Sequence, residues 1–399
     1  MSHYKLALFF TLAISFCHAN TANNLVKPTG NYGIGYQDIF TLNNNYCPDR
    51  IYQTLKNESN FSSNNHKFCH EIALRIYYPT NSKVMLGDKY FQPWMLESNK
   101  WYTHFYKLNE SETKQLAKNY EIRTYTTQNA QPNMSQKFPI VVFMPGSGQS
   151  VQTYTNTISD LVSHGYIVVG INSAFASGPL NLADGKIITW LESYNDATRL
   201  ENLDDLKLIL NTLQRLPYKL NLQQAMDFKH IALLGHSMGG MNIVNYLKQN
   251  PALKPQATVI MDPGNILESA NYPIKSNNIP SLTLWSSYFK QNMHGSIIES
   301  KNTYEVVLTP QESNVNFSNH ENFSDLSTNQ YSEPFQIKSL RHGLTTPENF
   351  GIGYGNGYEI TTIINQYLLN FLDTYLKNKP SKTFNNCQKL TNSLFNCEK

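Results

Sequence analysis

The residues from 231 to 240, Ile-Ala-Leu-Leu-Gly-His-Ser-Met-Gly-Gly, constrain the fold of this chain more than any other segment. An apolar run typical of a buried strand leads directly into a Gly-x-Ser-x-Gly turn, and apolar residues at helical spacing follow it. The small residues Gly235 and Gly239 permit a sharp turn, which lifts the Ser237 hydroxyl clear of the backbone at a helix N-terminus. The segment therefore predicts an exposed, reactive serine. The competing interpretation is a glycine-rich turn whose serine only caps the helix.

Strand-like and helix-like segments alternate through the chain from residue 139 onward. Short apolar runs that predict buried strands lie at 140–144, 166–171, 257–261, 281–285 and 304–308, and helices are predicted at 199–213 and 358–376. This alternation predicts an α/β protein with a mainly parallel sheet covered on both faces, the α/β-hydrolase pattern. No linker divides the pattern, so residues 20–399 are predicted to form a single domain with an N-terminal extension. The glycine alternation at 32–36 is interpreted as a turn.

A serine nucleophile needs a histidine base that is itself oriented by a carboxylate. In this fold the partners follow the serine in the order acid, then histidine, after the ends of later strands. The strand predicted at 257–261 is followed at once by Asp262, whereas the next strand ends without a carboxylate. Asp262 is therefore the candidate acid, and its alternative interpretation is an ordinary Asp-Pro-Gly turn.

The candidate base is His320, which lies in a polar loop after the last predicted strand, where chain order requires a histidine. Two other histidines compete with it. His342 stands beside Arg341, whose charge would disfavour an imidazolium. His294 precedes the last strand and is interpreted as a surface loop residue.

Ester and amide chemistry at a serine also needs N–H donors for the oxyanion of the tetrahedral intermediate. The strand predicted at 140–144 ends in Pro-Gly-Ser-Gly-Gln, a flexible turn of the kind that exposes backbone N–H groups. The backbone N–H groups of Ser147 and Met238 are the predicted oxyanion donors. The constellation includes no metal ligand and no cofactor.

The N-terminus has the pattern of a secretory signal peptide. Lys5 precedes an apolar run over 6–16, and small residues follow, so cleavage is predicted after Ala19, with Ala22 as the alternative position. Cys17 would suit a lipid anchor, but the bulky Phe16 before it favours a soluble form. The protein is therefore expected to be secreted or periplasmic.

Cleavage would leave four cysteines, which in an exported chain predict two disulfides. Three pairings are possible, and proximity in sequence favours Cys47–Cys69 and Cys387–Cys397, the second of which closes the C-terminal tail. A zinc site formed with the nearby histidines at positions 66 and 70 is the alternative interpretation.

Charge and hydropathy exclude other classes of protein. The chain carries 32 basic and 29 acidic residues without long runs, so the electrostatic footprint expected of a nucleic-acid-binding protein is missing. No segment reaches the length of about 20 apolar residues that a transmembrane helix needs.

The chain resembles the secreted, plasma-type platelet-activating factor acetylhydrolases, which are serine esterases of the α/β-hydrolase fold. The resemblance is strongest at 235–240, 260–262 and 319–325, where this chain has Gly-His-Ser-Met-Gly-Gly, Ile-Met-Asp and Asn-His-Glu-Asn-Phe-Ser-Asp. It implies calcium-independent phospholipase A2 activity on short or oxidatively truncated acyl chains at the sn-2 position. Where mammalian relatives carry His-Gly before the oxyanion residue, this chain has Pro145 and Gly146. Proline removes one N–H donor, so a difference in substrate fit is expected.

Other functions stay open, two among the hydrolases and one from another class. The elbow and the Pro-Gly turn also resemble those of cutinases and polyester hydrolases, and a general lipase fits the same residues. From another class, a catalytically silent hydrolase fold used for binding would share the sequence pattern. The sequence also leaves open whether the aromatic segment 91–101 contacts a lipid surface.

Overall fold

The computed structural model describes most of the chain from residue 25 onward. The described residues are 25–43, 70–90, 95, 109–119, 122–174, 176–181, 187–188, 196–263, 273–275, 278–290, 297–300, 302–308, 317–329, 352–353, 355–380 and 396–398. The predicted signal peptide lies outside these residues, as do three of the four cysteines in the predicted disulfides. Export and disulfide pairing therefore stay predictions.

The strands are β1 (Gly33–Asn43), β2 (His70–Thr80), β3 (Thr126–Gln128), β4 (Phe138–Met144), β5 (Ile167–Ser173), β6 (Leu180–Asn181), β7 (Ile187–Ile188), β8 (Met226–His236), β9 (Ala257–Met261), β10 (Ile274–Lys275), β11 (Ser281–Ser286), β12 (Ile298–Glu299), β13 (Thr303–Leu308) and β14 (Asn396–Glu398). The α-helices are α1 (Glu110–Asn119), α2 (Thr155–Ser163), α3 (Asp196–Thr212), α4 (Met238–Lys248), α5 (Ser287–Lys290), α6 (Leu326–Asn329) and α7 (Gly357–Leu376). Short 3₁₀ helices lie at Val151–Tyr154, Leu213–Arg215, Leu222–Ala225 and His320–Phe323.

Ten of these strands form one sheet in the order β14-β13-β11-β9-β8-β4-β5-β2-β1-β3. Neighbouring strands from β13 to β5 are parallel. β2 pairs antiparallel with β5 at one side of this parallel block, and β14 pairs antiparallel with β13 at the other. The prediction of an α/β fold with a mainly parallel sheet is confirmed.

The central strand β4 is apolar along its whole length because both faces of the sheet are covered there. Every residue of β4 is buried. Val141 and Phe143 pack into the core on one face, whereas Ile140, Val142 and Met144 pack into the core on the other face. This alternation follows from the two-residue period of a strand.

Helices form a layer on each face of the sheet. α3 and α4 cover one face with side chains such as Leu206 and Ile243. α2 and α7 cover the other face with side chains such as Ile158 and Phe371. Within the described ranges, no helix is both long and apolar enough to cross a membrane.

The prediction of a turn at 32–36 is wrong. Gly33 and Gly35 lie inside β1, which pairs antiparallel with β2 over its whole length. Gly35 is opposite Tyr78, and a Cβ atom at Gly35 would lie 2.4 Å from the tyrosine ring. The glycine therefore makes room for an aromatic side chain across the ladder rather than for a turn.

The parallel strands all end at the same edge of the sheet. β8 ends at His236 and β9 at Met261, and the segment 317–329 follows β13 at that edge. This edge therefore receives all three residues predicted to form the catalytic triad.

Candidate active site

Ser237 lies at the tip of a sharp turn between β8 and α4. Its backbone has φ 52° and ψ −122°, a conformation that few non-glycine residues adopt. Its N–H donates to the carbonyl oxygen of Met261 at 2.9 Å, which fixes the turn to the neighbouring strand. The glycine at 239 has no room for a side chain, because a Cβ atom there would lie 2.2 Å from the carbonyl oxygen of Met144. The turn therefore has the strained geometry of a nucleophile elbow.

His320 reaches Ser237 from the segment after β13. Its Nε2 lies 2.8 Å from Ser237 Oγ, and its Nδ1 lies 2.8 Å from Asp262 Oδ2. The Asn319 side chain caps the short helix that begins at His320, so the position of the histidine backbone is fixed locally. The three residues form one line of hydrogen bonds.

Asp262 follows the last residue of β9 and is fully buried. Its Oδ1 accepts the backbone N–H of Ser286 at 2.8 Å, and its Oδ2 accepts the Ser286 hydroxyl at 3.0 Å. These two donors leave Oδ2 directed at the His320 ring. The carboxylate is therefore oriented by the end of the adjacent strand β11.

Asp262 makes the His320 imidazole a stronger base. Burial lowers the pKa of His320, but the hydrogen bond and the negative charge of Asp262 outweigh burial and raise the pKa above its ordinary value. A base with a raised pKa binds the serine proton more strongly when it takes it.

The predicted oxyanion donors lie on two sides of the serine. Met238 is the first residue of α4, so its N–H has no carbonyl partner one turn earlier in the helix. Ser147 follows Gly146, where an added Cβ atom would lie 3.3 Å from the Cβ atom of Ser237. The turn that carries Ser147 therefore lies beside the nucleophile.

The segment that carries His320 is anchored to helix α2 by a buried carboxylate. Asp325 accepts the backbone N–H groups of Thr155 at 2.6 Å and Asn156 at 2.9 Å, at the N-terminus of α2. It also accepts the hydroxyl of Tyr90 at 2.8 Å. Burial raises the pKa of Asp325 to about 7, and the hydrogen bonds from Asn156, Tyr90 and Thr155 oppose that rise because they favour the carboxylate.

A second contact joins the same segment to the turn of Ser147. Glu321 accepts a hydrogen bond from the Gln149 side chain at 3.2 Å and another from the Ser324 hydroxyl at 2.9 Å. Burial raises the pKa of Glu321. The base and the predicted oxyanion turn are thus held to each other.

The structure brings together Ser237, Asp262 and His320, with Met238 and the turn of Ser147 beside them. The competing histidines His294 and His342 lie outside the described residues. Sequence reasoning assigned no role to His236, Tyr154 or Ser286, although the histidine stands inside the Gly-x-Ser-x-Gly motif itself. Among the described residues, no cluster of three or more metal-ligating side chains occurs.

Comparisons with known proteins bear on the family and the fold of the chain. Residues 20–177 match the family model described as platelet-activating factor acetylhydrolase, isoform II. No curated protein sequence matches the chain significantly. Among solved structures, the fold is similar to a ferulic acid esterase from Streptomyces cinnamoneus, with a TM-score of 0.68 and 18% identity, covering 95% of this chain and 100% of that chain. The resemblance to platelet-activating factor acetylhydrolases is thus confirmed over residues 20–177, and the chain has the α/β-hydrolase fold. The family match and the structural neighbour both support a carboxylic ester hydrolase.

Proposed function

We propose that the protein is an esterase that removes short or oxidatively truncated acyl chains from the sn-2 position of phospholipids, through an acyl-enzyme on Ser237. The hydrogen-bonded line from Asp262 through His320 to Ser237 carries this proposal. The family match over residues 20–177 supports the substrate class. The line supplies an orienting acid, a base and a nucleophile in the order that acyl transfer requires.

In the first half of the reaction His320 Nε2 takes the hydroxyl proton of Ser237, and Oγ attacks the ester carbonyl carbon. Asp262 keeps the other ring nitrogen protonated and stabilises the imidazolium. The backbone N–H groups of Ser147 and Met238 stabilise the oxyanion. The imidazolium then gives its proton to the departing lyso-phospholipid oxygen as the carbon–oxygen bond breaks.

In the second half a water molecule replaces the lyso-phospholipid. His320 takes a proton from that water, the hydroxide attacks the acyl-enzyme carbonyl, and the proton returns to Ser237 Oγ as the acid leaves. No step needs a metal or a redox cofactor, so the same side chains serve both halves.

The test is hydrolysis of phosphatidylcholines with graded sn-2 chains, measured by mass spectrometry, for the wild type and Ser237→Ala. We expect preference for acetyl and truncated chains, and a loss of several orders of magnitude in Ser237→Ala. The matched control is Ser135→Ala, because Ser135 is an exposed serine in a loop before β4. Retained turnover in Ser237→Ala would overturn the mechanism, and a preference for long-chain triglycerides or polyesters would overturn the substrate class.

A fluorophosphonate probe separates an enzyme from a silent binding protein. Labelling of the wild type at Ser237, and its loss in the alanine variant, is the expected result. An unlabelled wild type would indicate a fold without catalytic function. Export to a secreted or periplasmic location is part of the proposal and is supported by the N-terminal sequence pattern.

A further inference from the structure

His236, the residue directly before the nucleophile, is buried and makes two hydrogen bonds with its ring. Its side chain is only 1% exposed. Nδ1 lies 2.7 Å from the Tyr154 hydroxyl, and Nε2 lies 3.1 Å from the backbone carbonyl oxygen of His320. The Tyr154 hydroxyl also accepts the backbone N–H of Gly146 at 3.0 Å. One imidazole ring therefore connects the turn before Ser147 to the backbone of the base.

The two ends of this connection determine the direction of every hydrogen bond in it. The His320 carbonyl can only accept, so His236 Nε2 carries a proton and donates. The Gly146 N–H can only donate, so the Tyr154 oxygen accepts from it. A neutral His236 then has an unprotonated Nδ1, which accepts the Tyr154 hydroxyl proton.

Two effects keep the ring neutral. Burial lowers the pKa of His236 well below its ordinary value, and the nearby charge of protonated His320 lowers it further. The His236 ring also stacks on Phe323, with the ring centroids 5.7 Å apart, and packs at a tilt against His320, with the centroids 4.6 Å apart. The Tyr154 ring in turn packs edge-on against Phe143 of β4.

Building on the proposed function, we propose that His236 and Tyr154 are positioning residues, which hold the His320 backbone at a fixed distance from the oxyanion turn. Neither side chain touches the substrate. Their hydrogen bonds run from Gly146 to His320 around the back of the nucleophile. They fix where the base stands relative to Ser237 Oγ and to the donor of the oxyanion.

The expected effect is on the rate of chemistry rather than on binding. Misplacing a catalytic group by about 1 Å can lower turnover about 100-fold. Tyr154→Phe keeps the ring but removes the hydroxyl, which leaves the Gly146 N–H and His236 Nδ1 without this partner. His236→Phe keeps an aromatic ring beside Phe323 but removes both polar contacts. We expect kcat on p-nitrophenyl acetate to fall about 10- to 100-fold in each variant, with KM nearly unchanged.

The matched control is Tyr166→Phe. Tyr166 is another fully buried tyrosine, and its hydroxyl donates to Asp373 at 2.6 Å. Tyr166 directly precedes β5, so it lies at the opposite edge of the sheet from the active site. This variant loses a buried hydrogen bond of similar kind, so its thermal stability should fall while kcat stays near the wild-type value. The Tyr154→Phe, His236→Phe double variant should lose little more kcat than the His236→Phe single variant, because both changes break one chain of hydrogen bonds.

A spectroscopic measurement tests the assigned directions without any variant. ¹⁵N NMR of the imidazole rings should show His236 neutral with its proton on Nε2, and His320 protonated on Nδ1. A proton on Nδ1 of His236, or a kcat loss in Tyr154→Phe no greater than in Tyr166→Phe, would overturn the proposal. Fluorophosphonate labelling and p-nitrophenyl acetate hydrolysis report on this hydrogen-bond network whichever ester is the natural substrate. The roles of His236 and Tyr154 can therefore be tested even if the phospholipid assay fails.

Discussion

Replacing Asp262 by asparagine should inactivate the enzyme without unfolding it, because the structure dictates which way the new amide faces. The backbone N–H of Ser286 donates to Asp262 Oδ1, so the amide oxygen must take that position. The opposite orientation would set two donors against each other, at a penalty of about 1–3 kcal/mol for buried unpaired groups. The amide nitrogen therefore takes the place of Oδ2.

In that orientation the amide nitrogen faces both the His320 ring and the Ser286 hydroxyl, which lie 2.8 Å and 3.0 Å from Oδ2 in the wild type. Both of its N–H groups find acceptors only if Nδ1 of His320 is unprotonated. The histidine then carries its proton on Nε2, directed at Ser237 Oγ, and cannot accept the serine proton. The same exchange in a serine-protease triad lowers kcat about 10⁴-fold, which corresponds to about 5.4 kcal/mol of transition-state stabilisation.

The pH profile gives an independent measure of the same change. In the wild type the Asp262 carboxylate raises the pKa of His320 against the effect of burial. The base must be neutral to act, so the acidic limb of kcat/KM should lie above the usual histidine value of about 6.5. The Asp262→Asn variant would leave burial as the dominant effect on His320, so its acidic limb should move to lower pH.

The assay is p-nitrophenyl acetate hydrolysis from pH 5 to 9 in the wild type, Asp262→Asn and Asp227→Asn. Asp227 and His230 form an aspartate–histidine pair similar to that of Asp262 and His320, but at the opposite edge of the sheet. Asp227 accepts a backbone N–H from Lys229 at 3.0 Å and lies 2.6 Å from His230 Nδ1. Asp227→Asn should keep wild-type kcat and pH profile. If Asp262→Asn kept more than about one tenth of wild-type kcat, the tautomer argument would be refuted.

Two further changes test the supports of the site. Gly239→Ala would set a Cβ atom 2.2 Å from the carbonyl oxygen of Met144, so the turn must deform. We expect a lower melting temperature and loss of fluorophosphonate labelling of Ser237. An unchanged labelling rate would contradict the elbow geometry. Asp325→Ala would leave the N–H groups at the start of α2 without their carboxyl partner. We expect the free energy of unfolding, measured by urea denaturation, to fall by about 3 kcal/mol or more. Wild-type stability in this variant would show that the contact is dispensable.

Much of the fold follows from hydrophobic periodicity. The run predicted at 257–261 is β9 without any change of bounds, and the predicted helix at 358–376 is α7 with one residue added. These segments are predictable because a strand buried on both faces is uniformly apolar. β1 was missed because Gly35 accommodates the ring of Tyr78, a partner more than 40 residues away that local sequence cannot identify.

The triad residues could be named from chain order, since the carboxyl edge of a parallel sheet collects the residues that follow its strands. Their supports could not be named in the same way. The contacts of Tyr154 with His236, and of Asp325 with Thr155, join residues that lie 82 and 170 positions apart. Such contacts depend on the tertiary fold, which brings a particular helix N-terminus next to a particular loop. Only the histidine inside the elbow motif gave a local signal.

The sequence separation of these contacts also sets when the protein becomes active during folding. Ser237 and His320 are 83 residues apart, Asp262 and His320 are 58 apart, and the hydroxyl of Tyr90 reaches Asp325 across 235. Closing long loops is entropically unfavourable until the remote contacts form, so they belong to the slow part of assembly. Helices and the first strand pairs can form earlier from local contacts. We therefore expect esterase activity to recover only at the end of folding, when the sheet from β8 to β13 is in register.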